Sequence, residues 1–349
     1  MSESTAAQPL LDVRDLRVSF RTRSGTVDAV DGISFTVGRG EVLGIVGESG
    51  SGKSVSMLSV LGLIDNPNCV VEGEVIFQGE DLLKLDDKEL RRIRGKEIAM
   101  VFQDPMTALT PVYTAGWHIS EQIRAHEKVS KKAAHARAVQ LLDAVGIPNA
   151  TDRVNSYPHE FSGGMRQRVV IAMALSCNPS LLIADEPTTA LDVTIQAQIL
   201  ELLRDLQSEF GSSIVLITHD MGVVSQMSDR VLVMYGGRLA EAGPRRALMR
   251  DPLHPYTWGL MGSIPPTDGT RVERLAAIPG APINPSDPDR DRCLFSSRCG
   301  FASDACRPQP GLVEHVHGHL DACVLPYDQR PALRLEARTT VTTESGASA

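Results

Sequence analysis

A glycine-rich loop with the sequence GESGSGKS places the strongest constraint on how this chain can fold. It spans residues 47–54, follows the apolar run 42–46 and precedes a helical pattern. A loop of the pattern G-x-x-x-x-G-K-[ST] between a strand and a helix turns its backbone N–H groups toward phosphates at a helix N-terminus. We expect Lys53 to reach the β- and γ-phosphates of ATP and the Ser54 hydroxyl to ligate Mg²⁺. All eight residues are candidate ATP contacts: Gly47, Glu48, Ser49, Gly50, Ser51, Gly52, Lys53 and Ser54.

Two other interpretations of this loop are weaker. A chance Gly/Ser-rich loop would need neither the strand before it nor the helix after it. A dinucleotide-binding fold would show G-x-G-x-x-G and an acidic residue about 20 positions later. The Lys53-Ser54 pair argues against that fold.

A pair of acids, Asp185 and Glu186, supplies the second half of a nucleotide site. They end the apolar run LLIA at 181–184, and α/β sheets bind ligands at the carboxyl ends of their strands. We expect Asp185 to hold Mg²⁺, through water, and Glu186 to polarise the attacking water as general base. The alternative, a solvated acidic turn, does not explain why the acids end so apolar a strand.

The apolar pattern of the chain predicts an α/β fold. Five short runs are almost continuously apolar, as strands buried on both faces are. They cover residues 42–46, 98–102, 181–185, 213–218 and 231–234. Residues 11–20 and 33–37 alternate apolar with polar side chains, which indicates a half-exposed antiparallel sheet. Residues 111–158 are mainly helical and are interpreted as an insertion.

The segment FSGGMRQR at 161–168 lies between the phosphate loop and the acid pair. It resembles the LSGGQ signature of ABC ATPases, with Phe161 in place of Leu and Met165 in place of Gln. The position of the segment makes the resemblance strong, although SGG alone is a weak signal. The resemblance implies that ATP lies between two subunits, because one chain cannot bring both motifs to the same nucleotide. The residues that would contact the partner's ATP are Ser162, Gly163, Gly164 and Met165.

Further motifs of the ABC family follow in order along the chain. Gln103 resembles the Q-loop glutamine, which contacts Mg²⁺ and the attacking water. Asp192 in the sequence TALD resembles the D-loop aspartate, and His219 in ITHD resembles the switch histidine that contacts the γ-phosphate. Phe20 matches the position of the aromatic residue that stacks on adenine. The resemblance thus implies that Gln103, Glu186 and His219 are catalytic.

The implied fold is an α/β, ABC-type P-loop NTPase with a small irregular C-terminal extension that contains cysteines. It would have a RecA-like core, an antiparallel β subdomain and an inserted helical subdomain. The expected boundaries are an N-terminal tail at 1–9, the ATP-binding core with its antiparallel β subdomain at 10–110 and 165–245, the helical subdomain with the signature at 111–164, the C-terminal extension at 246–328, and a disordered tail at 329–349.

Three segments are similar to the peptide-importer branch of the family, which includes oligopeptide, dipeptide, nickel and glutathione systems. They are LGIVGESGSGKS, RGKEIAMVFQDPMTALTPVYT and HPYTWGLMGSIP. The segment RIRGKEIAMVFQDPM resembles the first of two non-identical ATPase subunits. The resemblance implies a second ATPase subunit, two transmembrane permease subunits and an extracytoplasmic substrate-binding protein. Peptides are the expected substrates, with nickel or glutathione as alternatives.

Four cysteines, Cys293, Cys299, Cys306 and Cys323, share 31 residues with the spacing C-x5-C-x6-C-x16-C. Structural zinc usually shows C-x2–4-C pairs, and the familiar ferredoxin spacing of [4Fe–4S] ligands is also tighter. Wide spacings suit loops around a larger cofactor, and related importer ATPases carry an iron–sulfur cluster at a similar segment. We expect a [4Fe–4S] cluster, with zinc as the alternative; scattered reduced cysteines are the third and weakest interpretation, since four occur in 31 residues and only two in the rest of the chain. We interpret the histidines at 315–319 as an exposed polar run with a structural role.

Charge and hydropathy limit the partners of the chain. It has 35 basic and 43 acidic residues, a net charge of −8, which disfavours nucleic-acid binding. No apolar run reaches the roughly 18 residues of a membrane span, and the N-terminus lacks the features of a signal peptide. We therefore expect the chain at the cytoplasmic face of the membrane, attached through permease subunits.

Two other functional classes remain as alternatives. A soluble ABC protein for DNA repair would have a long coiled coil before the signature, and one for translation would have two ATPase units. In this chain only residues 105–161 precede the signature after the Q-loop, which is too short for a long coiled coil, and the chain has one ATPase unit. A scaffold subunit with an inactive site is disfavoured by the intact Lys53, Asp185, Glu186 and His219.

Overall fold

The computed structural model describes residues 8–23, 25–189, 191–263, 278–284, 286–287 and 289–344. The first seven residues of the expected N-terminal tail lie outside the described residues. The described strands are β1 (Leu11–Thr22), β2 (Gly25–Val37), β3 (Val42–Val46), β4 (Cys69–Phe77), β5 (Glu80–Asp81), β6 (Ile98–Val101), β7 (Leu181–Asp185), β8 (Ser213–Thr218), β9 (Arg230–Tyr235), β10 (Arg238–Pro244), β11 (Val313–Val316) and β12 (His319–Asp321).

Eight of these strands form the central sheet, in the order β11-β12-β10-β9-β3-β8-β7-β6. The five strands from β9 to β6 are parallel, and the other three extend the sheet antiparallel at one edge. Every residue of β3, β7 and β8 is buried. The predicted α/β fold with both faces of these strands covered is confirmed.

The remaining strands form an antiparallel sheet of order β2-β1-β4-β5. Its buried side chains, including Val13, Ile33 and Val75, share one apolar cluster with Ile45 and Ile183 of the central sheet. The alternating pattern in the sequence therefore marks a sheet that covers one face of the core.

Helices complete the layers around the sheets. The described helices are α1 (Lys53–Val60), α2 (Asp87–Ile93), α3 (Pro105–Ala108), α4 (Ala115–His126), α5 (Lys131–Ala144), α6 (Ala150–Arg153), α7 (Gly163–Leu175), α8 (Val193–Phe210), α9 (Met221–Met227), α10 (Arg245–Arg250), α11 (Pro255–Gly262) and α12 (Arg330–Glu344). In the part of the chain that is described, none of them combines the length and apolarity that a membrane crossing requires.

The segment between β6 and β7 is helical, from α3 to α7. Each of its longer helices begins at a side chain that accepts a hydrogen bond from the first turn: Thr114 for α4, Ser130 for α5 and Ser162 for α7. Such caps satisfy backbone donors that a helix start leaves unpaired. The domain boundaries assigned from the sequence remain predictions.

Within the tail that the sequence predicts to be disordered, at 329–349, the structure describes Arg330–Glu344 as α12. Arg330 is buried at the start of this helix and donates to Asp321 Oδ1 at 2.7 Å and to the Leu325 carbonyl at 2.7 Å. A buried arginine can thus fix a polar segment that carries no aromatic side chains. Residues 345–349 lie outside the described part of the chain.

The interpretation of the histidines at 315–319 as an exposed run is wrong for two of them. His319 is buried, with Nε2 2.7 Å from Glu241 Oε1, and half-buried His315 has Nε2 2.8 Å from Asp321 Oδ1. Pairing of β10 with β12 places Glu241 opposite Asp321. Two buried carboxylates in one place require positive or hydrogen-bonding partners, and the histidines and Arg330 supply them.

The packing of the central sheet predicts a stability difference between two chemically identical substitutions. Val215 in β8 is fully buried, whereas Val193 at the start of α8 is 82% exposed. Val215→Ala should lower the free energy of unfolding by about 2 kcal/mol through lost burial and a cavity. Val193→Ala should change it by less than about 0.5 kcal/mol. Urea denaturation of both variants measures the difference, and equal midpoints would contradict the close packing around Val215.

A candidate ATP-binding site

The glycine-rich loop joins β3 to α1 and can be built only with glycine at two of its positions. Gly52 precedes α1 with a φ of 97°, and a Cβ there would lie 2.5 Å from the Ala29 carbonyl oxygen. At Gly47 a Cβ would lie 2.2 Å from the carbonyl oxygen of Met234. The loop backbone therefore packs directly against neighbouring strands, which holds its N–H groups in a fixed cradle.

Lys53 extends back along the loop that precedes it. Its Nζ donates to the carbonyl oxygens of Gly47 at 2.7 Å and Glu48 at 2.9 Å. Burial lowers the pKa of this lysine, while the carboxylates of Glu186 and Asp185 act in the opposite direction. A bound polyphosphate would add negative charge beside the ammonium group and favour its protonated form.

Asp185 ends β7 next to the first turn of α1. Its Oδ1 accepts a hydrogen bond from Ser54 Oγ at 2.9 Å, so two of the three predicted Mg²⁺ ligands already lie together. The side chain is buried, and burial raises the pKa of the carboxyl group, with the Ser54 hydrogen bond acting against that shift. A hydroxyl beside a carboxylate is a set of hard oxygen donors that suits Mg²⁺.

Glu186 is held by three neighbouring side chains. Its Oε2 accepts from Gln103 Nε2 at 3.0 Å and from Thr189 Oγ1 at 2.8 Å, and its Oε1 lies 3.3 Å from His219 Nδ1. Its φ of 47° is unusual for a residue with a side chain. Residues in such conformations persist where the surrounding structure determines them, often at functional sites. Of the three predicted catalytic residues, Gln103 and His219 thus both contact Glu186.

One cleft brings most of these residues together. It is lined from the phosphate loop by residues 48–55, and from the facing loops by Gln103, Glu186, Thr189 and His219. The C-terminal extension contributes a third wall, formed by Leu260, Ser263, Ile278 and Pro282. Sequence reasoning assigned no role to Thr189 beyond its motif, although it stands three residues after Glu186. It also missed the third wall, for which the sequence gives no local signal.

The signature residues lie elsewhere. Ser162 is the N-cap of α7, where its side chain accepts from the Met165 N–H at 3.4 Å, and it is exposed, as is Gly163. Asp192 is likewise an exposed N-cap, on α8. Among the described residues that line the cleft, neither the signature 162–165 nor Asp192 occurs.

Phe20, the predicted adenine contact, also lies outside the lining of the cleft. It is half-buried on β1, opposite Val27 and Cys69, and it packs against the core shared by the two sheets. Its predicted role in stacking stays a prediction.

The four cysteines of the extension line a single small cavity, together with Phe295 and His254. None of the four forms a disulfide. Burial raises the pKa of the Cys299 thiol to about 11 and that of Cys323 to about 12. Across the described ranges, no three His, Cys, Asp or Glu side chains are gathered closely enough to hold a metal ion. The donor chemistry fits a thiolate-bound group, whereas the present side-chain positions do not form its ligand set.

This fold and cleft define an ABC-type nucleotide-binding cassette. Solved structures of such cassettes are similar to the chain. The cassette MJ0796, solved as a dimer in a post-hydrolysis state with ADP and Pi, is 31% identical, with a TM-score of 0.60 over 68% of this chain and 99% of that one. The protein cbiO1 from Clostridium perfringens is 29% identical, with a TM-score of 0.59 over 70% of this chain and 91% of that one.

Sequence comparison identifies the branch of ABC ATPases to which the chain is similar. The family model for ABC transporters matches residues 30–189, and that for the oligopeptide/dipeptide transporter C-terminal region matches 240–306. The Bacillus subtilis oligopeptide transport ATP-binding protein OppD is 54% identical over 84% of this chain and 82% of its own length. The dipeptide transport ATP-binding protein DppD of Escherichia coli is 48% identical over 93% of this chain and 99% of its own length. The chain belongs to this family of oligopeptide and dipeptide transport ATP-binding proteins, and it is an ABC-type ATPase.

The buried charge of Asp185 predicts opposite effects of one substitution on stability and on ligand response. Because burial raises the folded-state pKa of this carboxyl group, its ionised form lowers stability at neutral pH. Asp185→Asn removes that charge and retains an oxygen for the Ser54 hydrogen bond. We expect an unchanged or higher melting temperature without nucleotide, and a smaller increase on addition of Mg-ATP. Thermal unfolding with and without Mg-ATP tests both effects.

The matched control is Asp205→Asn, since Asp205 is exposed on α8. It should leave both melting temperatures as they are in the parent chain. A clear loss of stability in nucleotide-free Asp185→Asn would contradict the electrostatic account of this carboxylate.

Proposed function

We propose that the chain is the ATP-hydrolysing subunit that drives import of peptides through an ABC transporter. It works at the cytoplasmic face of the membrane with a second, non-identical ATPase subunit, two transmembrane permease subunits and an extracytoplasmic binding protein. The observation that carries the proposal is the position of Glu186, held by Gln103 and His219 at the cleft that the phosphate loop lines. The family and the names of its relatives support peptides as the transported solute.

The residues of the cleft divide the chemistry of hydrolysis between them. The loop N–H groups and Lys53 bind the phosphates. Ser54, Asp185 and Gln103 would hold Mg²⁺, which neutralises charge on the phosphate oxygens when it is bound. Glu186 accepts a proton from the attacking water, and His219 contacts the γ-phosphate. The hydrogen bonds that Glu186 accepts from Gln103 and Thr189 orient its carboxylate before the nucleotide arrives.

The exposed signature supports a site completed by another subunit. The helix start at Ser162 presents unpaired N–H groups, which favour an anion, and it lies outside this chain's own cleft. We propose that it contacts ATP bound to the partner ATPase while the partner's equivalent segment closes this cleft. ATP then stabilises the closed pair, and its hydrolysis separates the subunits.

An exposed apolar patch at residues 106–117 supports docking to the permease. Met106, Val112, Tyr113 and Trp117 are each more than 40% exposed. The rings of Tyr113 and Trp117 stack with their centroids 3.7 Å apart. Clustered exposed aromatic side chains are typical of protein interfaces. The patch begins three residues after Gln103, so movement at the γ-phosphate has a short path to it.

The cysteine cavity is proposed to hold a [4Fe–4S] cluster, with a zinc ion as the alternative. The supporting observation is that all four thiols line one cavity. Both groups are bound by thiolates, so binding would displace the protons of Cys299 and Cys323, and the side chains would have to move toward the bound group. We assign the group a structural or regulatory role, because no step of hydrolysis uses it.

Glu186→Gln tests the catalytic assignment. The amide retains the shape of the side chain but cannot accept a proton, so we expect ATP hydrolysis to fall at least about 10²-fold with little change in ATP affinity. ATP-dependent association with the partner ATPase should persist and become longer-lived. The measurement is phosphate release by the assembled transporter, alongside size-exclusion chromatography with ATP. Glu201→Gln, on the exposed side of α8, is the matched control and should retain the parent rate.

Three outcomes would contradict the proposal. Full hydrolysis by Glu186→Gln, paired with an equally substituted partner, would exclude Glu186 as the base. Stimulation of hydrolysis through the binding protein by nickel or glutathione, and not by peptides, would replace peptides as the substrate. Purification without permease subunits under conditions that preserve membrane complexes would favour a soluble ABC ATPase.

The cysteine proposal predicts a brown full-length protein after anaerobic purification, with about four iron atoms per chain. Cys299→Ser should remove most of the iron, whereas Cys69→Ser, outside the cavity, should leave it unchanged. Metal analysis and the visible absorption spectrum measure the result. Colourless protein with stoichiometric zinc would favour the alternative, and protein with neither metal would exclude both.

A further inference from the structure

Arg298, in the C-terminal extension, forms a two-pronged ion pair with the phosphate loop. Its Nη1 donates to Glu48 Oε2 at 2.5 Å and its Nη2 to Glu48 Oε1 at 3.0 Å. The two residues are 250 positions apart in the chain. Glu48 is the second residue of the glycine-rich loop, and neither its carboxylate nor Arg298 has a role in the proposed hydrolysis of ATP.

The guanidinium group of Arg298 is buried, and hydrogen bonds engage each of its three nitrogen atoms. Its side chain is 3% exposed. The Nε donates to the Pro279 carbonyl at 2.7 Å, and the remaining N–H groups reach Tyr235 Oη at 3.4 Å and the Ile278 carbonyl at 3.3 Å. A planar fork with all its donors engaged holds a carboxylate in one orientation. Arg298 therefore fixes the side chain of Glu48, and with it the start of the phosphate loop, relative to the C-terminal extension.

The extension also holds the backbone of Glu48. The Glu48 N–H donates to Tyr256 Oη at 2.8 Å, and Tyr256 on α11 is completely buried. Its ring packs against Tyr235 and Phe295, with centroids 4.7 Å and 5.3 Å away. The extension thus binds Glu48 twice: Arg298 binds its side chain and Tyr256 binds its main chain.

Glu48 also contacts Lys53, so a restraint on Glu48 restrains the Lys53 side chain as well. Its carbonyl oxygen accepts a hydrogen bond from Lys53 Nζ at 2.9 Å, beside the bond from Nζ to the Gly47 carbonyl. The Glu48 carboxylate is also a negative charge at the edge of a site for a polyanion. Arg298 pairs that charge, and without it the carboxylate would repel the phosphates at short range.

We propose that Arg298 is a positioning residue for the phosphate loop: by pairing with Glu48 it fixes the start of the loop and offsets a carboxylate charge beside the phosphates, so that the C-terminal extension sets the affinity for ATP. This inference rests on the proposed ATPase function and deepens it. It gives the extension a role at the nucleotide site that does not depend on what the cysteine cavity binds.

A double-substitution cycle with the full-length chain tests the proposal. Arg298→Gln leaves the Glu48 carboxylate unpaired beside the phosphates and should weaken Mg-ATP binding about tenfold or more. Glu48→Gln removes the carboxylate and should weaken binding less. Adding Arg298→Gln to Glu48→Gln should then have little further effect, because the two side chains act through each other. Equilibrium dialysis with Mg-ATP measures the four dissociation constants.

Two further variants separate positioning from a general loss of structure. Arg298→Lys keeps the charge without the fork and should recover part of the lost affinity. Arg307→Gln is the matched control, because Arg307 lies in the same extension and forms an exposed pair with Asp289 at 2.7 Å, away from the loop. It should bind Mg-ATP as tightly as the parent chain. If Arg298→Gln does not fold, the cycle is run with Arg298→Lys in its place.

The outcomes distinguish this proposal from the function on which it rests. Parent-like affinity in Arg298→Gln, or the same loss of affinity whether residue 48 is Glu or Gln, would overturn the positioning role. Equal weakening by Arg307→Gln would show that the extension acts only through its overall stability, and would also overturn it. Failure of the parent chain itself to bind Mg-ATP would instead contradict the proposed ATPase function.

Discussion

The register of three parallel strands determines which residues meet at the nucleotide site. Val46 of β3 pairs with Thr218 of β8, and Asp185 of β7 pairs with Ile217 of the same strand. These strands therefore end at one edge of the sheet. The phosphate loop follows β3 and His219 follows β8, while the acid pair consists of the last residue of β7 and the residue after it. Backbone hydrogen bonds therefore bring these groups together before any side-chain contact is considered. A slip of one residue in β7 would turn its side chains to the opposite face and would separate Asp185 from Ser54.

Two charged groups, Lys53 and Asp185, lie buried at the same edge of the sheet, and burying a charge costs free energy. Burial lowers the pKa of Lys53 and raises that of Asp185, so desolvation moves both groups toward their neutral forms. A polyphosphate favours the charged lysine, and a divalent cation favours the charged aspartate. Since each ligand stabilises the ionised form of its protein partner, Mg-ATP binding offsets the electrostatic cost that the empty site carries. The hydrogen bond from Ser54 to Asp185 and those from Lys53 to two carbonyl groups reduce this cost until the ligand binds.

The sequence predicts the centre of the molecule better than its periphery, for physical reasons. Strands β3, β7 and β8 are buried on both faces, so their composition alone identifies them, and each is confirmed. The contact of Arg298 with Glu48 could not be predicted, because an irregular segment carries no periodic pattern that places it against a distant loop. The helix α12 gives no sequence signal for a related reason: it is held by side-chain pairs, Arg330 with Asp321 and Arg334 with Asp251, that no periodic pattern marks. A polar sequence held by a few such pairs resembles a disordered one.

The cleft is assembled from segments that lead to different surfaces of the chain. Gln103, in contact with Glu186, continues directly into the segment that exposes Tyr113 and Trp117. On the other side, Glu48 is held by Arg298, which stands next to one of the cysteines that line the cavity. A ligand shifts a conformational equilibrium only through contacts that differ between the states. ATP in this cleft would contact both segments at once, so its arrival can alter the apolar patch and the extension together, without a continuous path of side chains between those two surfaces.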